Sequence, residues 1–194
     1  MANIGVFYAT RHGQTAKIAQ HIAAHTRAHG HAVEVLRCLR QGEPPCGPAR
    51  FDSVILGSSV HGGRHHREIE RFIRAHRPFL EQTPSAFFSV SMSVQGAPPK
   101  GPHAARECVE NMIARTGWCP HRVALFAGAL PYTHYTWLMR FVLKRIAGAQ
   151  GGDTDTTRDY EYTDWSAVDA FADAVAHDVT ERFPWRANWT SPAV

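Results

Sequence analysis

Short apolar runs alternate with amphipathic stretches from one end of the chain to the other. Asn3–Tyr8 is apolar enough to predict a strand, and Thr15 to about His29 carries Ile18, Ala19, Ile22 and Ala23 on one helical face before Gly30 stops it. A short strand over His31–Leu36 leads into a Pro/Gly-rich connector, Gln41–Pro48. Ser53–Ser59, with V-I-L-G at its heart, has the unbroken apolar run of a parallel strand buried on both faces. Then come a helix from Arg67 to about Leu80 (Ile69, Phe72, Ile73, His76), a strand over Ser85–Val90 and a Gly/Pro-rich loop, Gln95–Pro102. A helix near Ala104–Thr116 with the stripe Cys108, Val109, Met112, Ile113 precedes a strand over Arg122–Leu130. A long segment, Pro131 to Tyr162, separates that strand from a last helix, Asp164–Arg182.

Strict alternation of strand and helix predicts an α/β fold with a parallel sheet covered on both faces. At 194 residues the chain suits one domain plus an elaboration. Residues 1–182 form that domain, 131–162 are an insertion, and 183–194 are expected to be a loosely ordered tail despite Trp185 and Trp189.

The junction between first strand and first helix carries the most specific chemistry. Thr10-Arg11-His12-Gly13-Gln14-Thr15 offers two hydroxyls, a glycine that lets the backbone approach closely, and the free N–H groups of a helix start. It lacks both G-x-x-x-x-G-K-[ST] and G-x-G-x-x-G, so a monophosphate suits it better than a triphosphate or pyrophosphate. With Val6-Phe7-Tyr8 before it and Ala19 and Ile22 after, the turn resembles the FMN phosphate signature of flavodoxins. Arg11 departs from the electron carriers of that group and adds a charge-assisted contact.

The resemblance implies a doubly wound five-stranded parallel sheet of flavodoxin-like order 2-1-3-4-5, with the ligand beyond the carboxyl ends of the strands where the order reverses. Three loops would meet there: Thr10–Thr15, Ser58–His66 and Ser89–Gly101. The flavin ring would lie between Ser59, Val60, His61 and Gly62 on one side and Ser89, Val90, Ser91, Met92 and Ser93 on the other. Neither of those loops contains Trp, Tyr or Phe. The ring face is therefore expected to be open to a planar substrate, as a catalyst needs and a shuttle does not.

Composition narrows the class. Hydrophobic residues make up 44% and charged residues 20%, and no run approaches the ~18 apolar residues of a membrane span. No basic leader or cleavage site precedes the first strand, which predicts a cytoplasmic protein. Cys38, Cys46, Cys108 and Cys119 are scattered and expected to be reduced thiols. A formal charge of +4 and a pI near 9.1 suggest an anionic partner: nucleic acid, an anionic membrane surface or a carboxylate-bearing substrate. His61, His65 and His66 lack a carboxylate or cysteine at ligand spacing, so no metal is expected; as solvated loop residues they would form, with Arg64, a cationic rim for carboxylates. Asp153 and Asp155 lack the EF-hand spacing and read as turn formers. Trp137–Ile146 in the insertion fits two readings, a helix that packs on the core or an interfacial helix with aromatics at one end and Arg140, Lys144 and Arg145 among apolar neighbours.

Further stretches sharpen the resemblance: F-Y-A-T-R-H-G-Q-T at Phe7–Thr15, P-S-A-F-F-S-V at Pro84–Val90, A-G-A-L-P-Y at Ala127–Tyr132, W-x-x-R-F at Trp137–Phe141, and G-G-D-T-D-T with Y-T-D-W over Gly151–Trp165. Over about residues 1–182 the chain resembles the flavodoxin-type, quinone-dependent protoporphyrinogen oxidases of bacterial haem synthesis. This implies FMN as cofactor, six-electron oxidation of protoporphyrinogen IX to protoporphyrin IX two electrons at a time, and delivery to a membrane quinone at the inner face of the cell membrane. Nucleic acid drops out as a partner, and assembly of like chains stays open. The cations nominated for substrate or membrane are Arg64, His65, His66, Arg140, Lys144 and Arg145, with Trp137 beside them. The loop Val60–Arg64 departs from the family in holding glycines where better-known members place an aromatic, and no residue stands out as acid or base. An NAD(P)H:quinone oxidoreductase of the same fold and a non-catalytic electron carrier are the alternatives.

Overall fold

The computed structural model describes residues 1–39, 47–95, 100–130 and 160–181. Most of the Gln41–Pro48 connector with Cys46, the centre of the Gln95–Pro102 loop, residues 131–159 of the insertion (with Trp137, Arg140, Lys144, Arg145, Asp153 and Asp155) and the tail lie outside them.

Alternating faces of β1 (Asn3–Ala9) are apolar on both sides, and that places it inside the sheet. Ile4 and Val6 point into one core with Ile18 and Ile22 of α1 (Gln14–Ala28) and Val168, Phe171 and Val175 of α4 (Trp165–Thr180). Phe7 and Ala9 point into the other, with Ile69, Phe72 and Ile73 of α2 (Arg67–Gln82) and Val109 and Met112 of α3 (Lys100–Thr116). The other strands of the parallel sheet are β2 (Ala32–Arg37), β3 (Ser53–His61), β5 (Ser85–Ser91) and β6 (Arg122–Ala127), in the order β2-β1-β3-β5-β6. The expected five-stranded order is thus observed.

Three elements differ from expectation. First, the residues after Ser59 are not a plain loop: β3 runs on to His61, turns at Gly62 and Gly63 (φ 56° and 73°) and returns as β4 (Arg64–His65), Val60 opposite His65 and His61 opposite Arg64. Two residues with positive φ are what a tight hairpin turn requires, and two glycines supply them. Second, α3 begins at Lys100 instead of Ala104, because Pro102 falls in the first turn, where a missing N–H costs nothing. Third, the strand expected to run to Leu130 breaks at Gly128. Ala129–Leu130 (β7) leaves the sheet and pairs antiparallel with Tyr160–Glu161 (β8), so the two ends of the insertion are held together.

On the first face, α1 and α4 are laced by His21 Nε2 to Asp169 Oδ1 (2.6 Å) and by His25 and His29 Nε2 to Asp173 Oδ1 (2.7 Å each). Asp164 caps α4, accepting from the Ala167 N–H at 3.1 Å.

Gly57, in the middle of β3, faces the ring of Phe88, and a Cβ built there would lie 2.0 Å from Phe88 Cζ. Phe88 is fully buried and cannot retreat. Gly57→Ala should therefore cost about 1–3 kcal/mol, the usual penalty of overpacking, read as a lower urea midpoint; an unchanged midpoint would contradict this packing.

Candidate functional site

The crevice opens where β1 and β3 send their connections to opposite sides of the sheet. Gly13 is the residue before α1, in the left-handed region at φ 96°, and no side chain caps the helix. The first helical bond runs from the Lys17 N–H to the Gly13 carbonyl (3.1 Å), so the N–H groups of Gln14, Thr15 and Ala16 have no partner inside the helix. The Thr10 hydroxyl accepts from the Gly13 N–H at 3.1 Å, which closes the turn. Gln14 is drawn aside, its Nε2 donating to Thr163 Oγ1 at 2.8 Å, and Thr163 in turn donates to the Ala127 carbonyl at 2.9 Å. No acidic residue occupies the first turn of α1.

Two orphaned groups show that this turn suits a phosphate. Thr15 Oγ1 is buried with no hydrogen-bond partner, and so is Ser91 Oγ across the cleft at the end of β5. Buried polar atoms are seldom left unpaired, and a phosphate carries the acceptors both hydroxyls lack. Thr10, His12, Gln14, Thr15, Ser59, Val60, His61, Val90, Ser91 and Met92 line the cleft, together with Gly128 and Ala129, which the sequence reading did not include. The cleft is small, about 60 Å³. Among the described lining residues there is no Trp, Tyr or Phe.

Of the other residues nominated for the cofactor, Gly13 shapes the turn and Arg11 faces a neighbouring cavity. Gly62 sits at the hairpin tip, Ser89 is paired with His65 and Ser93 lies in the 3-10 turn Met92–Gln95; none of the three is among the residues that line the cleft.

That neighbouring cavity, about 560 Å³, lies between the hairpin, α2 and α3 and is lined by Arg11, His61, Arg64, His65, His66, Arg67, Glu68, Glu70, Arg71 and Arg115. Among the described residues His61 is common to both spaces. The cationic rim expected of the histidines is corrected here. His65 is 3% exposed with its Nε2 2.9 Å from Ser89 Oγ; burial, aided by the charges of Arg115 and His66, brings it down to about 4. His61 falls to about 4 as well, through burial and then His66, His12 and Arg11. His66 is lowered by burial against the opposing pull of Glu68, and its Nε2 and that of His61 share Ser59 Oγ at 3.0 and 3.3 Å. His61 and His65 are thus neutral at physiological pH, and the positive charge at this end of the sheet belongs to arginines. Arg67 and Arg71 stand one helical turn apart on α2, a spacing visible in the sequence; Arg115, at the far end of α3, gave no such signal.

A flavodoxin domain model matches residues 5–157. The protoporphyrinogen IX dehydrogenase (quinone) of Escherichia coli K12 is 35% identical over 172 residues, covering 89% of this chain and 93% of that protein. A protein of the same name from Leishmania major is 33% identical over 124 residues, covering 64% of this chain and 53% of its own length. Among solved structures, a WrbA-like flavodoxin from Agrobacterium tumefaciens superposes with TM-score 0.52 at 11% identity, covering 94% of this chain and 100% of that one. The flavodoxin of Streptococcus pneumonia TIGR4 does so with TM-score 0.51 at 12% identity, with the same coverage. At such identities the two structures show the fold.

Thr15→Val keeps the shape of the side chain and removes the orphaned hydroxyl, so FMN affinity should fall roughly 10- to 100-fold, the worth of a hydrogen bond to a charged group, in a fluorescence-quenching titration. Unchanged affinity would move the phosphate elsewhere. The histidines generate a second expectation. Their folded values lie below the ordinary 6.5, so the unfolded chain binds protons the native state refuses; stability is full above about 6.5 and falls as pH drops towards about 4. Urea midpoints should fall between about pH 7 and pH 5, and fall less in His65→Gln. A profile equally steep in wild type and variant would contradict the burial of a neutral His65.

Proposed function

The chain belongs to the flavodoxin domain family, in the branch of quinone-dependent protoporphyrinogen IX dehydrogenases, and we propose that it oxidises protoporphyrinogen IX to protoporphyrin IX with FMN and passes the electrons to a membrane quinone in haem biosynthesis. The observation that carries the proposal is the likeness to the Escherichia coli enzyme along nearly the whole of both chains. FMN, when bound, supplies a two-electron acceptor that a quinone can reoxidise. Three electron pairs and six protons leave each porphyrinogen, and three quinones take them up as quinols.

The residues divide the work. Thr15, Ser91 and the first N–H groups of α1 hold the phosphate. Val60, Val90, Met92 and Ala129 form the cleft wall without a stacking aromatic among the described residues, and so leave space for a flat substrate. His61, neutral and half-buried at the boundary of the two cavities, is placed to accept a proton as the substrate gives up its electrons. Arg64 supplies positive charge for the substrate's carboxylates.

Quinone access is assigned to the insertion. Among the described residues no helix is long and apolar enough to cross a membrane. Leu130 and Tyr160, which flank residues 131–159, pair beside the cleft that Ala129 lines. A segment rooted there, with Trp137, Arg140, Lys144 and Arg145, would bring the flavin mouth to an anionic membrane surface.

Anaerobic mixing of the FMN-loaded protein with protoporphyrinogen IX should bleach the flavin absorbance, and a quinone added afterwards should restore it and yield protoporphyrin. NADPH should bleach it far more slowly. Flavin that stays oxidised with protoporphyrinogen while NADPH reduces it rapidly would replace the proposal with an NAD(P)H:quinone oxidoreductase.

A further inference from the structure

The larger cavity beside the flavin cleft has a charge balance its own residues do not settle. Five guanidiniums, of Arg11, Arg64, Arg67, Arg71 and Arg115, face two carboxylates, of Glu68 and Glu70. Both carboxylates are already committed. Glu70 is 6% exposed and takes Arg115 at 2.7 and 3.1 Å, with Arg74 at 3.7 Å behind; Glu68 lies 3.5 Å from His66 Nδ1 and 3.9 Å from Arg71. Among the described residues Arg11, Arg64 and Arg67 have no carboxylate partner. They come from three different elements, the phosphate turn, the hairpin and the start of α2, and converge on one concave space.

The neutral histidines sharpen the selectivity of this space. His65 at the base and His61 along the wall are polar without contributing charge at physiological pH, so among the described residues the guanidinium forks carry the charge that would hold an anion. Planar forks match carboxylates two bonds at a time, which a lysine cluster would not do. Because His61 borders both spaces, a molecule lying flat over the mouth of the flavin cleft can extend acidic arms into the cavity while its ring faces the flavin position.

We propose that the cavity between the Val60–His65 hairpin, α2 and α3 binds the two carboxylate arms of the porphyrinogen, with Arg64, Arg67 and Arg11 as the ion-pairing groups. This rests on the reading that a porphyrinogen is the substrate. The arms fix which edge of the macrocycle lies over the flavin, so esterified porphyrinogens are poor substrates even though their ring is the same.

The test combines binding and turnover. Wild-type FMN-loaded protein should bind protoporphyrin IX at least roughly 10-fold more tightly than its dimethyl ester in a fluorescence titration, the lower end of what charge-assisted bonds contribute. Arg64→Glu/Arg67→Glu should lose that preference and raise the KM for protoporphyrinogen IX by a similar factor, while its FMN affinity, which depends on the other cavity and reports that the variant is folded, stays at the wild-type value. Arg64→Lys/Arg67→Lys, keeping charge without the forks, should fall between. Equal affinity of the wild type for acid and ester, or an unaltered KM in the charge-reversed variant, overturns the assignment. An active wild type indifferent to esterification would sink the cavity assignment and leave the activity standing; a wild type inert towards protoporphyrinogen that still prefers the acid through these arginines would do the reverse.

Discussion

The unmet hydrogen bonds at the start of α1 are the constraint from which the rest of the site follows. Three backbone N–H groups point out of the first turn, no acidic side chain answers them, and the Thr15 hydroxyl beside them is buried without a partner. Each such bond to a charged acceptor is worth about 1.5–3 kcal/mol, so an anion placed there gains several contacts at once without rearrangement of the turn. The neighbours keep this demand unanswered: Gln14 is tied to Thr163, and Thr10 is occupied with the Gly13 N–H.

That geometry depends on the sheet. Two parallel connections leaving opposite faces at β1 and β3 open the crevice, and the close contact of Gly57 with Phe88 keeps the neighbouring strands β3 and β5 in register beneath it. The two rims then differ in chemistry. Towards β6 and β7 the cleft is small, apolar and joined through Gly128 to the roots of the insertion. Towards the hairpin it opens into a wide cavity whose positive charge is carried by guanidiniums. A turn with unmet hydrogen bonds, a cleft with no Trp, Tyr or Phe among its described lining residues and a cavity lined by arginines support the proposed flat, acidic reductant next to a flavin.

Most of the fold was legible in the sequence, because a parallel strand covered on both faces needs an unbroken apolar run and each helix needs its stripe. Ser53–Ser59, Ser85–Val90 and the stripe Ile18, Ala19, Ile22, Ala23 all appear in the expected elements. The turn before α1 was legible for a similar reason: Thr10, Gly13 and Thr15 all lie within six residues of one junction. The hairpin was missed because Arg64, His65 and His66 read as a polar loop, although Gly62-Gly63 between two short runs was the available sign. The state of His61 and His65 could not be read at all. A histidine titrates according to what covers it, and α3, which helps bury His65, lies some forty residues away in the chain. Arg115 joins Arg67 and Arg71 for the same reason, through a helix pairing that no local spacing records. The 3-10 turn after Ser91 and the break at Gly128 are likewise set by tertiary contacts.

We propose that the phosphate, more than the ring, anchors the flavin, since no aromatic lines the cleft among the described residues while the first N–H groups of α1 and the Thr15 hydroxyl have no partner. Equilibrium titration of the apoprotein with FMN and with riboflavin, which has the same ring and no phosphate, tests this directly. FMN should bind at least roughly 100-fold more tightly, the worth of two charge-assisted hydrogen bonds at the low end of their range. Riboflavin binding within a few-fold of FMN would contradict the account.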